Sequence, residues 1–374
     1  MPAPYTLAVS PRLRTTPFHE RVLAAGVRAY SVYNHMLLPV MYESLEADYR
    51  HLLERVQLWD VAVERQVEIR GRDALALTEL MTPRDIGRCA VGQCKYAPVV
   101  DENGGVVNDP LILRLADDHF WVSVADSDVL LWAKGIAAGR GFDVDVREPD
   151  VSPLALQGPL ADDVAEAVFG AWTRTLRFFR FRETEVDGIP VVVARSGWSK
   201  QGGFEIYLRD GSRGAALWDR IQAAGEPYGI RAGCPNLIER IESRLVSYGS
   251  DVTLDDDPFQ AGLESFCDLD KPAEYLARAA LAERRGRIPT RRLERVVIAG
   301  ERIGPNMTRM PLHAGGRPAG FVTSAAYSPR LEKNVALAMV GTQRGADTLR
   351  VILADGSERE VAVAGEDWTV RESS

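Results

Sequence analysis

The sequence predicts an α+β fold, with two mixed α/β units followed by a small antiparallel β-barrel. Three observations predict it. Strand-period and helix-period segments alternate through residue 285. From about 290, short strand-like runs follow one another without helical spacing, and Gly, Pro and Asp separate those runs. The expected units are 1–150, 151–285 and 286–374.

In the first unit, 63–69 (VERQVEI) alternates as a half-buried strand and 72–81 carries helical spacing. Segments 96–100 and 106–115 flank Asp101-Glu102-Asn103-Gly104-Gly105, a hairpin signal because glycine supplies positive φ. A strand at 119–125 leads into a helix at 128–138. In the second unit, 152–158 reads as a strand and 159–169 as a helix. Strands at 189–195 and 203–209 are joined by a polar, Gly-rich turn, and helices follow at 213–224 and 235–246. The barrel runs are 293–299, 319–324, 335–340, 348–353 and 359–363, with 283–289 as the boundary before them. Trp59, Trp132 and Trp218 read as core, and His35 as a loop or packing residue.

Composition narrows the function classes. Apolar residues make up 46% of the 374, enough for substantial cores, and the formal net charge is −8, which argues against a general nucleic-acid binder. Arg278, Arg284, Arg285, Arg287, Arg291, Arg292 and Arg295 form a local exception, either a solvated face or linker, or a dock for an acidic partner. Cys89, Cys94, Cys234 and Cys267 make no CxxC, and the five histidines lack ligand spacing, so no metal site is expected. The opening MPAPYTLAVSPRLRT lacks a signal-peptide apolar run, and no apolar run reaches the roughly 20 residues of a membrane helix. A soluble, cytoplasmic protein with no membrane partner is expected, in keeping with free thiols.

Two local features invite chemistry. Ser196 to Tyr207 (SGWSKQGGFEIY) places a Gly-rich turn before a strand in which Glu205 and Tyr207 share one face. Glu205 is either the solvated side of an amphipathic strand or a functional carboxylate. Asp109 lies among Val106, Val107, Leu111, Ile112 and Leu113, although Asp is disfavoured in strands. It faces water, caps a backbone group, or is kept for chemistry.

Six ordered segments carry a resemblance. They are Thr16-Pro17-Phe18-His19 with Tyr33 to Pro39, Leu58-Trp59-Asp60-Val61, Tyr96 to Asp109, Arg195 to Tyr207, Arg240-Ile241-Glu242 with Tyr248-Gly249, and Gly320 to Ser324 with Ser328-Pro329. Together they resemble the glycine-cleavage T-protein (aminomethyltransferase) family over nearly the whole chain. Within it, SVYNHMLLP, WDVAVERQVEI, ADSDVLLWAKG, SGWSKQGGFEIYL and CPNLIERIE are similar to the dimethylsulfoniopropionate demethylases. The resemblance implies a T-protein-like fold, with the two α/β units around a central folate pocket and the first unit contributing a discontinuous folate-binding core. It also departs from the family pattern. The "DD" pair is Asn108-Asp109, and "VSHM" is Val61-Ala62-Val63-Glu64. A "VNA" Asn is Val124, and an expected Arg is Asn236.

The resemblance implies transfer of a methyl group from a small-molecule donor to tetrahydrofolate. Glu205 would accept pterin N–H donors, and Tyr207 and Tyr96 would flank the ring. Arg240 would join the folate site, or form an ion pair with Glu242. Asp109 would stabilise N5 and take its proton. Trp198 would hold a sulfonium by a cation–π contact, and Lys95 or Ser123 would meet the donor's carboxylate. Residues 278–295 would dock an acidic partner or a folate polyglutamate tail if they are not a plain face. A homodimer is left open. Rival readings are an aminomethyltransferase served by a lipoyl-carrier protein, a methyltransferase acting on a betaine, and a folate-binding factor for iron–sulfur assembly. The "KGCYxGQE" motif of that last class is not matched by Gly92 to Tyr96. A fused flavin oxidase would need a GxGxxG fingerprint, which is missing.

Overall fold

The computed structural model describes residues 10–343 and 347–370. Residues 1–9 of the stretch read as lacking a leader, and 344–346 and 371–374 of the expected barrel unit, lie outside the described residues.

The barrel is closed and antiparallel. Its strands run in the order Arg291–Ile298, Lys333–Gly341, Arg317–Ser328, Met310–Ala314, Leu349–Ile352 and Glu358–Val363. Met310–Ala314 escapes the sequence pattern because it is short and carries Pro311, which cannot donate to a ladder.

Ahead of it stand two larger sheets. One has the order Asp145–Arg147, Gln66–Arg70, His119–Ser123, Leu111–Ala116 and Gln93–Tyr96. The other has the order Phe181–Val186, Ile189–Ala194, Gly203–Leu208, Ser152–Gln157, Gln57–Asp60 and Arg231–Gly233. Gln57–Asp60 thus crosses from the first third of the chain into the six-stranded sheet. Residues 61–65 then return the chain to the five-stranded one. The sheets meet through Cys94, Leu113 and Trp121 on one side and Val192, Ala194 and Tyr207 on the other.

The expected 96–100/106–115 hairpin is two ladders rather than one. Val99–Val100 pairs with Val106–Asn108, and Gln93–Tyr96 pairs with Leu111–Ala116. Pro98 and Pro110 lack the N–H that would continue one ladder into the other. A further hairpin, Ala29–Tyr33 with Met36–Met41, turns on Asn34 and His35 at φ 49° and 61° without a glycine, which hid it from sequence reading. His35 is exposed on that turn. Trp59 and Trp218 are buried as expected, whereas Trp132 is only partly buried.

The basic-stretch arginines are engaged within the fold. Arg284, Arg285, Arg287, Arg291 and Arg292 pair with Asp257, Asp270, Glu283, Asp256 and Glu264, and Arg278 donates to the carbonyls of Leu269, Lys271 and Ala273. The sequence's basic run is therefore largely neutralised within the fold.

Arg240 and Glu242 do not pair with each other, because they sit on different networks. Arg240 binds Asp251 and Ser324, whereas Glu242 accepts from Tyr49, Ser328 and Arg330. Asp251 is fully buried and also accepts from Ser247 N at 3.0 Å, Thr323 Oγ1 at 2.6 Å and Ser324 Oγ at 2.7 Å. It ties the helix Leu237–Ser243 to the barrel. Removing one partner of such a pair strands the other charge, so Asp251→Ala is expected to cost about 3–5 kcal/mol in urea unfolding.

Candidate functional site

One row of cross-strand neighbours ends the five-stranded sheet. Gln66 lies opposite Ser123, Ser123 opposite Leu111, and Leu111 opposite Tyr96. Asp109 precedes this row on one strand, and Glu64 precedes it on another. In the facing sheet, Glu205 sits in the row Ala194, Glu205, Ala155, Trp59. Glu205 and Tyr207 share the face turned toward the five-stranded sheet, while Phe204 and Ile206 fill the core behind.

Asp109 stands where pairing switches from one ladder to the next. Tyr96 Oη donates to its Oδ2 at 2.8 Å. Burial nevertheless raises its carboxyl to about 7, because loss of water outweighs the Tyr96 hydroxyl and a backbone N–H donor. The neighbouring Asn108 is fully buried. Its amide donates to Ser127 Oγ at 2.8 Å and accepts from Ala125 N at 3.0 Å. An ionised Asp accepts only, so the Asn answers a two-sided requirement.

Glu205 is buried, and burial raises its carboxyl above the usual range. Ser196 Oγ and Tyr207 Oη both donate to Oε2, the latter at 3.1 Å. Gly203 shapes the approach to this strand. At φ 144°, a Cβ there would stand 2.0 Å from the Leu156 carbonyl oxygen. The preceding loop is pinned by Ser199 Oγ to Gln157 (2.7 Å) and Lys200 N to Glu239 (2.9 Å). It carries a half-buried Trp198, whose ring centroid lies 5.9 Å from the Arg240 guanidinium carbon.

The remaining expected residues are near but engaged. Lys95 Nζ donates to the Asp85 carbonyl, and burial lowers its pKa. Ser123 Oγ accepts from Gln66 at 2.8 Å. Tyr207 is fully buried with its ring 6.2 Å from Trp121, and Tyr96 meets Phe266 edge-on at 4.8 Å. Arg240 is buried in the Asp251 network described above. Asn236 caps the helix Leu237–Ser243 by accepting from Ile238 and Glu239 N–H, and Val124 is core. Both departures from the family pattern therefore have structural work.

Glu64 was not singled out by sequence reasoning. Burial, with the charges of Glu205 and Asp109, holds its carboxyl well above the usual range. Burial raises the Tyr33 hydroxyl well above its usual range, and the charges of Glu64, Asp109 and Asp126 add to this. The available signal was the replaced segment Val61–Glu64 itself, which puts a charge into an apolar run. A separate cleft of about 390 Å³, bordered by Asp101, Leu254, Asp257, Phe259 and Arg284, holds none of the three carboxyls. Among the described residues no group of three or more His, Cys, Asp and Glu is placed to hold a metal ion, and no helix is long and apolar enough to cross a membrane.

Fold and sequence together define the class. The GCVT N-terminal domain family matches residues 18–271, and the glycine cleavage T-protein C-terminal barrel domain matches 289–372. The chain belongs to the glycine cleavage T-protein family, as its ordered motifs imply. Dimethylsulfoniopropionate demethylase DmdA of Ruegeria pomeroyi is 53% identical over 331 residues, covering 88% of this chain and 90% of that protein. The aminomethyltransferase of Symbiobacterium thermophilum is 32% identical and covers 94% of each. The crystal structure of the glycine cleavage system aminomethyltransferase T from Bartonella henselae matches with a TM-score of 0.83 over 96% of this chain and 98% of that one. At 23% identity it shows the shared fold.

Asp109 carries a stability signature. With its carboxyl raised from 3.8 to about 7, the folded protein holds a proton through a range where the unfolded chain has lost it. Its contribution to stability therefore falls as pH rises from 3.8 toward 7. Asp109→Asn is expected to melt higher than the wild type at pH 8, with the gain shrinking as pH is lowered below 7. Thermal midpoints across that range measure it.

Proposed function

We propose that this chain is a tetrahydrofolate-dependent methyltransferase that demethylates dimethylsulfoniopropionate to 3-(methylthio)propionate, with 5-methyltetrahydrofolate as the other product. The 53% identity to DmdA over most of both chains carries this reading. The buried Glu205 and the half-buried Asp109 are consistent with it.

The residues present suit a folate. Glu205 receives both of its local donors on Oε2, so Oε1 remains to accept an N–H from the pterin edge. A charge-assisted bond of that kind contributes about 1.5–3 kcal/mol. When bound, tetrahydrofolate supplies N5 as the atom that receives the methyl group. The N5–C bond forms as the S–C bond breaks, the bonding pair leaves with sulfur as a neutral thioether, and the N5 proton departs. Asp109, with a carboxyl near 7, is the acceptor this chain offers for that proton, and Tyr96 holds it in place.

Little covalent chemistry is asked of the protein, since a sulfonium methyl is already activated. Its work is orientation, which lowers a barrier by up to roughly 7–11 kcal/mol. Tyr207 and Tyr96 border the folate side in this reading. Trp198, positioned by Arg240, presents its ring to the sulfonium, about 2 kcal/mol when desolvated. Lys95 retains N–H donors beyond the one spent on Asp85 and, with Ser123, takes the donor's carboxylate.

A second reading follows from the aminomethyltransferase relatives, in which an aminomethylated lipoyl-carrier protein would be the substrate. Incubating the protein and tetrahydrofolate with dimethylsulfoniopropionate, glycine betaine, a methoxy-aromatic compound or an aminomethylated lipoyl-carrier protein separates the cases. 5-Methyltetrahydrofolate is expected with the sulfonium donor. Ammonia release from the carrier alone would replace this reading with the second. Asp109→Asn is expected to lower kcat by about 10²–10⁴-fold. Glu205→Gln is expected to raise the KM for tetrahydrofolate by about tenfold or more.

A further inference from the structure

A buried amide beside the site is bonded at one end only. Gln66 opens the row Gln66–Ser123–Leu111–Tyr96 and is 1% exposed. Its Nε2 donates to the Glu64 carbonyl at 2.7 Å and to Ser123 Oγ at 2.8 Å. The first bond fixes which way round the amide sits, since the reverse would set its oxygen against the Glu64 carbonyl oxygen. Its Oε1 is buried and has no hydrogen-bond donor among the described residues.

Other buried amides are bonded at both ends. The oxygens of Gln57, Asn108, Gln157, Asn236 and Asn334 accept from Trp59 Nε1, Ala125 N, Ser199 Oγ, Ile238 N and Ile303 N. Their nitrogens donate to Asp48 O, Ser127 Oγ, Leu156 O, Leu45 O and Ile298 O. A buried carbonyl without a donor bears its full desolvation cost, so Gln66 departs from the pattern at the expense of stability.

The position of Gln66 gives that departure a use. Gln66 and Ser123 lie on the sheet face that carries Trp121, because residues two apart along a strand share a face. The Trp121 ring stands 6.2 Å from that of Tyr207, and Tyr207 Oη donates to Glu205 at 3.1 Å. Gln66 and Glu205 therefore belong to the two faces that meet between the sheets, and each keeps an oxygen able to accept.

The missing partner is a hydrogen-bond donor, which separates the two ligands of the reaction. A sulfonium carboxylate carries no N–H or O–H and has nothing to give this oxygen. Tetrahydrofolate has ring N–H groups and an amino group on its reduced pterin. A neutral carbonyl accepts from such a group without adding a further negative charge.

We propose that Gln66 is a further folate-binding residue, whose side-chain carbonyl accepts a pterin N–H from the sheet opposite Glu205. The proposal rests on the folate site of the methyltransferase reading and adds a second acceptor to it.

The test measures tetrahydrofolate binding to the full chain by anaerobic calorimetry without a methyl donor, and dimethylsulfoniopropionate binding separately. Gln66→Leu, which removes the carbonyl at similar size, is expected to weaken tetrahydrofolate about tenfold and to change dimethylsulfoniopropionate by less than about threefold. Ser123→Ala removes the neighbour that Nε2 holds and leaves the carbonyl, so it is expected to keep tetrahydrofolate within about threefold of the wild type. Should Gln66→Leu fail to fold by circular dichroism, Gln66→Met supplies the arm without a carbonyl. Equal weakening of both ligands overturns the proposal, as does a loss in Ser123→Ala as large as that in Gln66→Leu. Tetrahydrofolate binding that survives loss of the carbonyl overturns the role of Gln66 alone and leaves an ordered water as the donor. A wild type that binds no tetrahydrofolate overturns the folate reading with it.

Discussion

The buried carboxyl of Glu205 and the half-buried carboxyl of Asp109 belong to two sheets that pack face to face, and the surrounding structure answers that constraint. Burial disfavours the charged form of each. The fold supplies few donors against this. Tyr96 serves Asp109, and Ser196 and Tyr207 serve Glu205. The result is a region poised to accept protons or positive charge. That is the property the proposed reaction needs, since it would begin with a cationic donor and end by releasing a proton.

The way these groups are brought together is topological. Glu205 belongs to a strand interior, Asp109 to a break between two ladders, and Glu64 to the crossover linking the sheets. No local sequence window contains more than one of them. Asp109 is exposed to chemistry because Pro110 ends one ladder, and Glu205 because Gly203 lets the strand pass close over Leu156.

Much of this was legible beforehand, for identifiable reasons. The barrel and the 189–209 hairpin follow from period-two alternation and glycine turns. Asp109 and Glu205 drew notice as charges inside apolar strands. What escaped depended on contacts distant in sequence. The 29–41 hairpin turns on Asn34 and His35, which adopt positive φ without glycine. Gln57–Asp60 joins strands from the other unit. Arg240 and Glu242, neighbours on one helix, reach separate partners some distance along the chain. Glu64 was visible as a changed residue, but its meaning required the positions of the other two carboxyls.

The completeness of hydrogen bonding separates the buried acids into two kinds. Asp251 spends its oxygens on Arg240, Ser247, Thr323 and Ser324, and Glu242 spends its own on Tyr49, Ser328 and Arg330. Such groups are satisfied before any ligand arrives, so their effect is to fix the helix Leu237–Ser243 against the barrel. Glu205 is half satisfied, and Asp109 has one side-chain donor. A protein gains no stability from an acid left in that condition, because the desolvation is not returned by the fold itself. The gradient from Asp251 to Glu205 and Asp109 therefore runs from groups spent on architecture to groups that keep capacity for another partner.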